Sequence, residues 1–250
     1  MIMKKRIRIA ALVLLAAVLV VSAAAGEETR EIRKGDRVFI GTFPQTAEGT
    51  DRTPIEWVVL AVQDGKGFLM SKRGLIAMAY HTEDTDVTWE ACALRAWLNN
   101  EFYRDAFSEE EKTAILLTDV DNSTAQRYGK WRKPKEPDTQ DYVYLLSYAE
   151  AHKYLGMEKD VYGRKSRIEP TDYAVKTGAH VEESIRTAEG KRTGWWMLRS
   201  PGGRKHGASC VNNGGGLSDC NVTLASGCIC PVLWADLSSP ALKREAPAAE

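Results

Sequence analysis

The chain has 250 residues, with 34 Lys and Arg against 34 Asp and Glu, 44% hydrophobic residues and 8% aromatic residues. This composition is that of an ordinary globular protein, and it excludes disordered, collagen-like and polytopic membrane chains. A leader over residues 1–25 would take away four basic residues and no acidic one, leaving 30 basic and 34 acidic residues and a net charge of −4. A mildly acidic body argues against a nucleic-acid partner, because nonspecific binding requires a basic surface.

The first residues have the order of a secretion signal. A basic stretch at 4–8 precedes an apolar run of 13 residues at 9–21, and small residues lead up to Ala25. The run is shorter than the roughly 20 residues that span a bilayer. We therefore predict a signal peptide over residues 1–25, and a secreted or extracytoplasmic protein with no membrane insertion after cleavage. An uncleaved N-terminal anchor is the alternative.

The mature chain opens with a β pattern. Residues 35–41, 55–62 and 67–71 are short apolar, β-branched or aromatic runs. The sequence Asp64-Gly65-Lys66 between the last two runs is typical of a tight hairpin turn. We predict an antiparallel sheet here.

The hydrophobic period then changes to that of a helix. Trp89, Ala93, Ala96 and Trp97 recur at intervals of three and four, which predicts an amphipathic helix buried on one side. Thr88 precedes this pattern, and we expect it to be the N-cap.

Three further short helices have recognisable starts. Ser108 and Ser147 each begin a capping box, with Glu three residues later, and Thr171 follows a proline. We expect the first of these helices to continue through Leu116 and the second to stop at Gly156. Additional strands are predicted at residues 142–146, 196–199, 208–212, 217–221 and 229–233, and a disordered tail at residues 238–250.

Two polar segments admit ligand interpretations. Residues 127–141 form a basic excursion around Trp131, and residues 83–86 read Glu-Asp-Thr-Asp. One aromatic among charges is no platform for stacking nucleic-acid bases. The acidic run could offer oxygens to Ca²⁺, but it lacks the glycine turn and the distal glutamate of a calcium loop. We predict that both are solvated loops and that the protein holds no metal.

Five cysteines become candidates for disulfides if the protein is exported. Because the number is odd, at least one stays free or pairs between chains. Four lie within 21 residues, and the sequence does not choose among their pairings. A zinc cluster is the alternative, but the spacing lacks the paired knuckles of structural zinc sites. The four candidates for a disulfide are Cys210, Cys220, Cys228 and Cys230.

Familiar catalytic motifs are absent from the sequence. It contains no Gly-x-Ser-x-Gly elbow, His-Glu-x-x-His pair, phosphate loop or dinucleotide fingerprint. The four histidines are scattered one per segment. We therefore predict a protein that is not an enzyme, with no catalytic residues and no cofactor.

The C-terminal third is instead dominated by glycine and small polar residues, from 199 to 229. Such a segment must be laid on a scaffold, and loops displayed on a scaffold are where binding usually occurs. We expect Trp195, Trp196, Leu198 and Trp234 to lie buried beneath it. The predicted ligand contacts are Arg204, His206, Ser209, Asn212, Asn213, Ser218, Asp219, Asn221 and Thr223. Because these are predicted to be surface side chains, substituting the four Asn and Asp residues together should barely change the melting temperature.

Several motifs resemble one family of exported bacterial domains, domain of unknown function 6273. The most specific is Trp-Trp-x-Leu-Arg-Ser-Pro-Gly at residues 195–202. The other matching segments are residues 35–45, 57–60, 87–99, 107–111, 141–147 and 170–174. The chain departs from the family at residues 228–231, where Cys-Ile-Cys-Pro replaces the usual Gly-Val-Arg-Pro.

The resemblance implies one domain over residues 33–237 with an α+β, C-type-lectin-like fold, in which short antiparallel strands are surrounded by several short helices. Formylglycine-generating enzymes and the variable proteins of diversity-generating retroelements share that fold. It implies an exported ligand-binding or surface-recognition domain for a protein or cell-surface ligand, with a diversified C-terminal segment as one form. The alternatives are a formylglycine-generating-type oxidase using Cys228 and Cys230, and a structural domain with no ligand. The calcium motifs of sugar-binding lectins are missing, so calcium-dependent sugar recognition is not implied.

Overall fold

The computed structural model describes residues 31–123, 136–156 and 164–245. The predicted signal peptide and Trp131 lie outside these residues. The described chain from Ile32 onward belongs to one compact unit. The strands are β1 (Arg37–Phe43), β2 (Thr53–Gln63), β3 (Lys66–Ser71), β4 (Arg73–Gly74), β5 (Ile76–Ala77), β6 (Ile115–Leu116), β7 (Thr118–Val120), β8 (Thr139–Asp141), β9 (Glu169–Pro170), β10 (Val181–Arg186), β11 (Arg192–Gly194), β12 (Trp196–Pro201), β13 (Gly207–Val211), β14 (Leu217–Asn221), β15 (Cys228–Ile229) and β16 (Val232–Asp236).

Two five-stranded sheets carry most of the fold. The first has the order β1-β2-β3-β16-β6, and all its neighbouring strands are antiparallel. The second has the order β14-β13-β12-β15-β5, in which only β12 and β15 run parallel. Strand pairs β4–β9, β7–β8 and β10–β11 complete the described pairing. The predicted antiparallel opening sheet is confirmed. Its turn at Asp64 and Gly65 has positive φ at both residues, as a tight hairpin requires.

The helices are short: α1 (Ala93–Trp97), α2 (Tyr103–Ala106), α3 (Glu109–Lys112), α4 (Tyr148–Leu155) and α5 (Asp172–Lys176), with a π-helical turn at Leu98–Phe102 and a 3-10 turn at Arg164–Ser166. Both predicted capping boxes are present, α4 ends at a left-handed Gly156, and Thr171 caps α5. Within the described residues no helix is both long and apolar enough to cross a membrane.

The predicted start of α1 is wrong. The helix begins at Ala93 rather than Trp89, and Cys92 is its N-cap, with Sγ accepting a hydrogen bond from the Arg95 N–H at 3.3 Å. Trp89 is fully buried in the turn before the helix, where its indole N–H donates to Asp141 at 3.0 Å. A buried side chain in a turn can fall at helical spacing from the residues of the helix that follows. The buried Trp89 therefore made the helical pattern begin before the true start of α1.

Three other boundaries differ from the predictions. The helix after Ser108 ends at Lys112, and β6 follows because its residues pair with β16. Within the predicted strand 142–146, only Tyr144 makes a strand-like bridge, since the side chain of Asn99 bonds the neighbouring backbone groups. The predicted disordered tail turns back onto β1 as far as it is described: Lys243 pairs with Phe39, and Ala241 and Leu242 are buried.

One hydrophobic core joins the sheets and helices. Three of its largest members, Trp57, Trp89 and Trp196, are completely buried, and each indole N–H donates to an oxygen inside the protein. Burying an indole without such a partner would cost a hydrogen bond. The short, mostly antiparallel strands with a few short helices agree with the predicted α+β class.

Candidate functional site

The C-terminal segment lies where β12, β13 and β14 meet. In the register of the β13–β14 hairpin, Gly207 is opposite Asn221 and Val211 is opposite Leu217. Trp196 and Leu198 are buried as predicted, whereas Trp195 and Trp234 are only half-buried. The scaffold beneath the hairpin is therefore built largely from β12.

Arg199 anchors β12 inside the protein. Its side chain is 1% exposed and forms an ion pair with Glu150 of α4. The guanidinium also donates to Asn122 Oδ1 at 3.0 Å and to the carbonyls of Leu145 and Asp121, both at 2.9 Å. A buried cation persists only when its N–H groups are bonded in this way. Arg199 is therefore part of the scaffold and not of a ligand site.

One end of the hairpin is held by the acidic loop, which we define as residues 83–86. The Asn221 Nδ2 donates to Asp84 Oδ1 at 2.8 Å, and His206 Nδ1 lies 3.2 Å from the same oxygen. The His206 N–H donates to Asp86 at 2.9 Å, which supports the left-handed φ of 53° at His206. The hydrogen bond from Asn221 and the charge of His206 keep the pKa of Asp84 below its usual range. We call this region the acidic-loop end.

The side chain of Asp219 packs against Gly202 and Gly207 at the acidic-loop end. A Cβ on either Gly202 or Gly207 would overlap its carboxylate, so both positions require glycine. Its Oδ1 is buried and has no hydrogen-bond partner among the described residues, with Arg204 Nε at 3.6 Å. The Arg204 side chain donates instead to the Asp219 carbonyl. Arg204 and Asp219 thus hold the turn between β12 and β13 against β14.

The opposite end of the hairpin is a glycine turn held by Asn212. Its Oδ1 accepts hydrogen bonds from the Gly214 N–H at 2.9 Å and the Gly216 N–H at 3.1 Å. Asn213 Nδ2 lies 3.3 Å from His180 Nδ1, while Asn213 Oδ1 is buried without a partner in the described chain. The five residues of β13 separate this turn from the acidic-loop end, and they span about 13 Å.

The structure therefore divides the predicted contacts. Arg204, His206, Asp219, Asn221 and Thr223 gather at the acidic-loop end, whereas Asn212 and Asn213 lie at the far turn. Ser209 is buried, and its hydroxyl donates to the Pro201 carbonyl at 2.9 Å, so it does not face a ligand. Ser218 is exposed on the outer strand β14.

Sequence reasoning missed two partners of this segment. The acidic loop is exposed, as predicted for a solvated loop, but Asp84 and Asp86 also bond to residues of the hairpin end, and His180 contacts Asn213. The acidic residues are more than a hundred residues away from their partners in sequence. No local pattern indicates such contacts.

All five cysteines are buried free thiols in the structure. Burial raises the pKa of Cys92 and of Cys228 to about 12 in each case, and burial also raises that of Cys230 well above its usual value. Thiolates, which are the reactive form, are therefore disfavoured at these positions. The predicted disulfide within residues 210–230 stays a prediction.

Clusters suited to a metal do not occur in the part of the chain that the structure describes: no three His, Cys, Asp or Glu residues there converge as ligands. The acidic residues of the loop are engaged with the hairpin instead. What the arrangement offers chemically is a rigid, hydrogen-bonded surface.

Comparison with known proteins identifies the family. Neither the curated proteins nor the solved structures contain a significant match to the chain. A family model described as Domain of unknown function (DUF6273) matches residues 64–237, which is more than half of the chain and includes the acidic loop, the hairpin and β16. The chain therefore belongs to the DUF6273 family.

Proposed function

We propose that the protein is an exported recognition domain that binds a protein or cell-surface ligand through the acidic-loop end of the β13–β14 hairpin. The observation that carries this proposal is that some residues at that end hold its structure while their neighbours are exposed. Asp86 and Asn221 hold the backbone, and Asp84 holds the side chain of Asn221. The neighbouring side chains of Arg204, Lys205, Thr223 and Leu224 are exposed.

The exposed residues suit recognition of a macromolecular surface. Leu224 is 45% exposed, which is unusual for a large hydrophobic side chain here. It follows the exposed Thr223 in the chain, and the exposed Lys205 precedes His206 at the same end. Mixed apolar and charged side chains on a rigid backbone lose little conformational freedom when they bind. A C-type-lectin-like fold, which we propose for the domain, would present such a surface in its C-terminal loops.

Binding is favoured over the oxidase alternative. Cys228 and Cys230 are completely buried, and burial raises the pKa of both thiols. An oxidase of the formylglycine-generating type would use an accessible cysteine pair. If the segment is diversified, we propose that the variable positions are Lys205 and Thr223, because Arg204, Asn212 and Asn221 hold turns.

A matched pair of surface variants tests the proposal. The site variant carries Lys205→Ala, Thr223→Ala and Leu224→Ala, and the control carries Lys66→Ala, Gln63→Ala and Val62→Ala, which are equally exposed residues of the β2–β3 hairpin. Both should melt within a few degrees of the wild type, because surface changes usually cost under about 0.5 kcal/mol each.

The measurement is the binding of the fluorescently labelled mature chain to intact bacterial cells, counted by flow cytometry before and after surface proteolysis. We expect the wild type and the control to bind and the site variant to lose at least about tenfold in affinity, or 1.4 kcal/mol. A wild type that binds no cells, or a site variant that binds as well as the control, would contradict the proposal. Loss of binding after proteolysis identifies a protein ligand.

A further inference from the structure

The two cysteines of the β13–β14 hairpin lie on one face of the second sheet. Cys210 is opposite Ser218 and Cys220 is opposite Ala208, so the two cysteines are diagonal neighbours across the strand pair. Diagonal neighbours have Cα atoms about 7–8 Å apart, with Cβ atoms closer. The neighbouring Cys210 thiol and burial raise the pKa of Cys220, and Cys220 Sγ lies 3.4 Å from Met197 Sδ. The two thiols are therefore neighbours on this face of the sheet.

The position of β14 makes the remaining approach feasible. A disulfide needs Cα atoms within about 7 Å, which is close to the diagonal spacing. Because β14 is the edge strand of the second sheet, a small slide of β14 along β13 would shorten this diagonal without displacing another strand of that sheet. The glycine-rich turn at residues 212–216 joins the two strands directly.

The other three cysteines are occupied by packing. Cys92 caps α1 through its sulfur. The sulfur of Cys228 fills the space left by two glycines, since a Cβ on Gly74 would lie 2.9 Å from it and one on Gly194 would lie 3.0 Å from it. Cys230 is completely buried at the crossing from β15 to β16, next to Pro231, whose carbonyl accepts from the Ser71 N–H. A bridge from any of these would pull a buried sulfur out of its place.

We propose that Cys210 and Cys220 form an intrachain disulfide in the exported protein, while Cys92, Cys228 and Cys230 stay reduced. The oxidant is a disulfide of the small-molecule or protein class. Its sulfur–sulfur bond breaks in two exchange steps, the two S–H bonds of the cysteines break, one new S–S bond forms, and the oxidant leaves as two thiols that carry the two hydrogens and electrons. The proposal rests on the export proposed above and does not depend on what the domain binds.

Peptide mapping of the mature chain, refolded with oxidised and reduced glutathione, tests the pairing. Trypsin is unsuitable because residues 206–243 contain no Lys or Arg before Lys243, which leaves four cysteines in one peptide. A protease that cuts before Asp219 separates Cys210 from the other three. Free thiols are alkylated with N-ethylmaleimide in denaturant, without a reductant, before digestion, and fragment masses locate the labels.

We expect the peptide with Cys210 to be linked to the peptide from Asp219, with labels on Cys228 and Cys230. Cys210→Ala should leave Cys220 labelled, whereas the control Cys228→Ala should keep the linked peptides. Reduction should lower the melting temperature of the wild type by several degrees and leave that of Cys210→Ala unchanged. Labels on all four cysteines of the folded, oxidised wild type, or a link from Cys210 to Cys228 or Cys230, would overturn the proposal. The peptide map of the wild type tests the Cys210–Cys220 pairing even if the variants fail to fold.

Discussion

Arg199 illustrates how a single residue connects distant segments. Its guanidinium bonds to Asp121 and Asn122, to the Leu145 carbonyl and to Glu150, and it lies 5.6 Å from the ring centre of Tyr144. These contacts tie β12 to α4 and to the segment after β7. The residue lies within the motif at residues 195–202, and its role is to fix the strand beside the hairpin.

Replacing Arg199 with Met should destabilise the protein by about 3–5 kcal/mol, because the buried partners lose their donors together. Methionine retains much of the side-chain volume, so the loss reports the polar network rather than a cavity. The control is Arg192→Met, which removes a partly exposed ion pair with Asp172 that is worth under about 1 kcal/mol. Urea unfolding followed by circular dichroism measures both values. A loss for Arg199→Met as small as that of the control would mean that the network does not stabilise the fold.

At the scale of elements, the β13–β14 hairpin is held at both ends by asparagine side chains. Asn212 closes the far turn, and Asn221 Oδ1 accepts from the Thr223 N–H at 2.8 Å while its Nδ2 reaches the acidic loop. The sequence indicated that such residues are free surface contacts. The structure changes the expectation for joint substitution, since both amides satisfy backbone groups.

Asn212→Ala should therefore cost about 1–2 kcal/mol, because the Gly214 and Gly216 N–H groups lose their acceptor. Asn213→Ala is the matched control. Asn213 has a buried oxygen without a partner in the described chain, so its removal should be neutral or stabilising. Thermal melting of the two single variants measures the difference. Equal melting temperatures would show that the Asn212 amide does not hold the turn.

At the scale of the molecule, the two sheets are joined by one continuous segment. The chain leaves the second sheet through β15, passes the buried Cys230-Pro231 and enters the first sheet as β16. The Pro231 carbonyl accepts from the Ser71 N–H at 2.9 Å, which fixes the crossing against β3. Cys228 fits beside this crossing because Gly74 and Gly194 leave room.

How much of the fold could be predicted depends on how far apart in the sequence the interacting residues lie. Signals contained within a few residues, such as the capping box at Ser147 and the turn at Asp64 and Gly65, specified their structures. The start of α1 and the end of α3 depended on Asp141 and β16, which are distant in sequence. The same applies to the site: its hairpin was predicted from local turns, but the acidic loop that holds it was not.

A second junction between the sheets depends on ionised Asp51. Its carboxylate accepts hydrogen bonds from the Gln45 and Thr46 N–H groups and from the Thr46 and Thr53 hydroxyls. The side-chain oxygen of Gln45 accepts a hydrogen bond from Arg73 of β4, and the backbone carbonyl of Gln45 accepts one from the Tyr173 N–H of α5. Asp51 therefore orders the loop through which the first hairpin reaches the elements beside the second sheet.

Acid should weaken this junction and with it the whole fold. Burial raises the pKa of Asp51, but the hydrogen bonds from Thr53, Thr46 and Gln45 outweigh it and keep the pKa well below its usual range. A carboxylate whose pKa is lower in the folded state contributes stability above its unfolded pKa of about 3.9, and this contribution is lost as the pH falls through the folded value. Asp51→Asn should therefore be less stable than the wild type at pH 7, and the difference in the free energy of unfolding should shrink below about pH 4. Thr53→Val, which removes one hydrogen-bond donor to Asp51, should show a smaller loss of stability at pH 7 that also shrinks below about pH 4. Urea unfolding of the three proteins across this pH range provides the measurement, and a difference that stays constant with pH would show that the charge of Asp51 does not stabilise the junction.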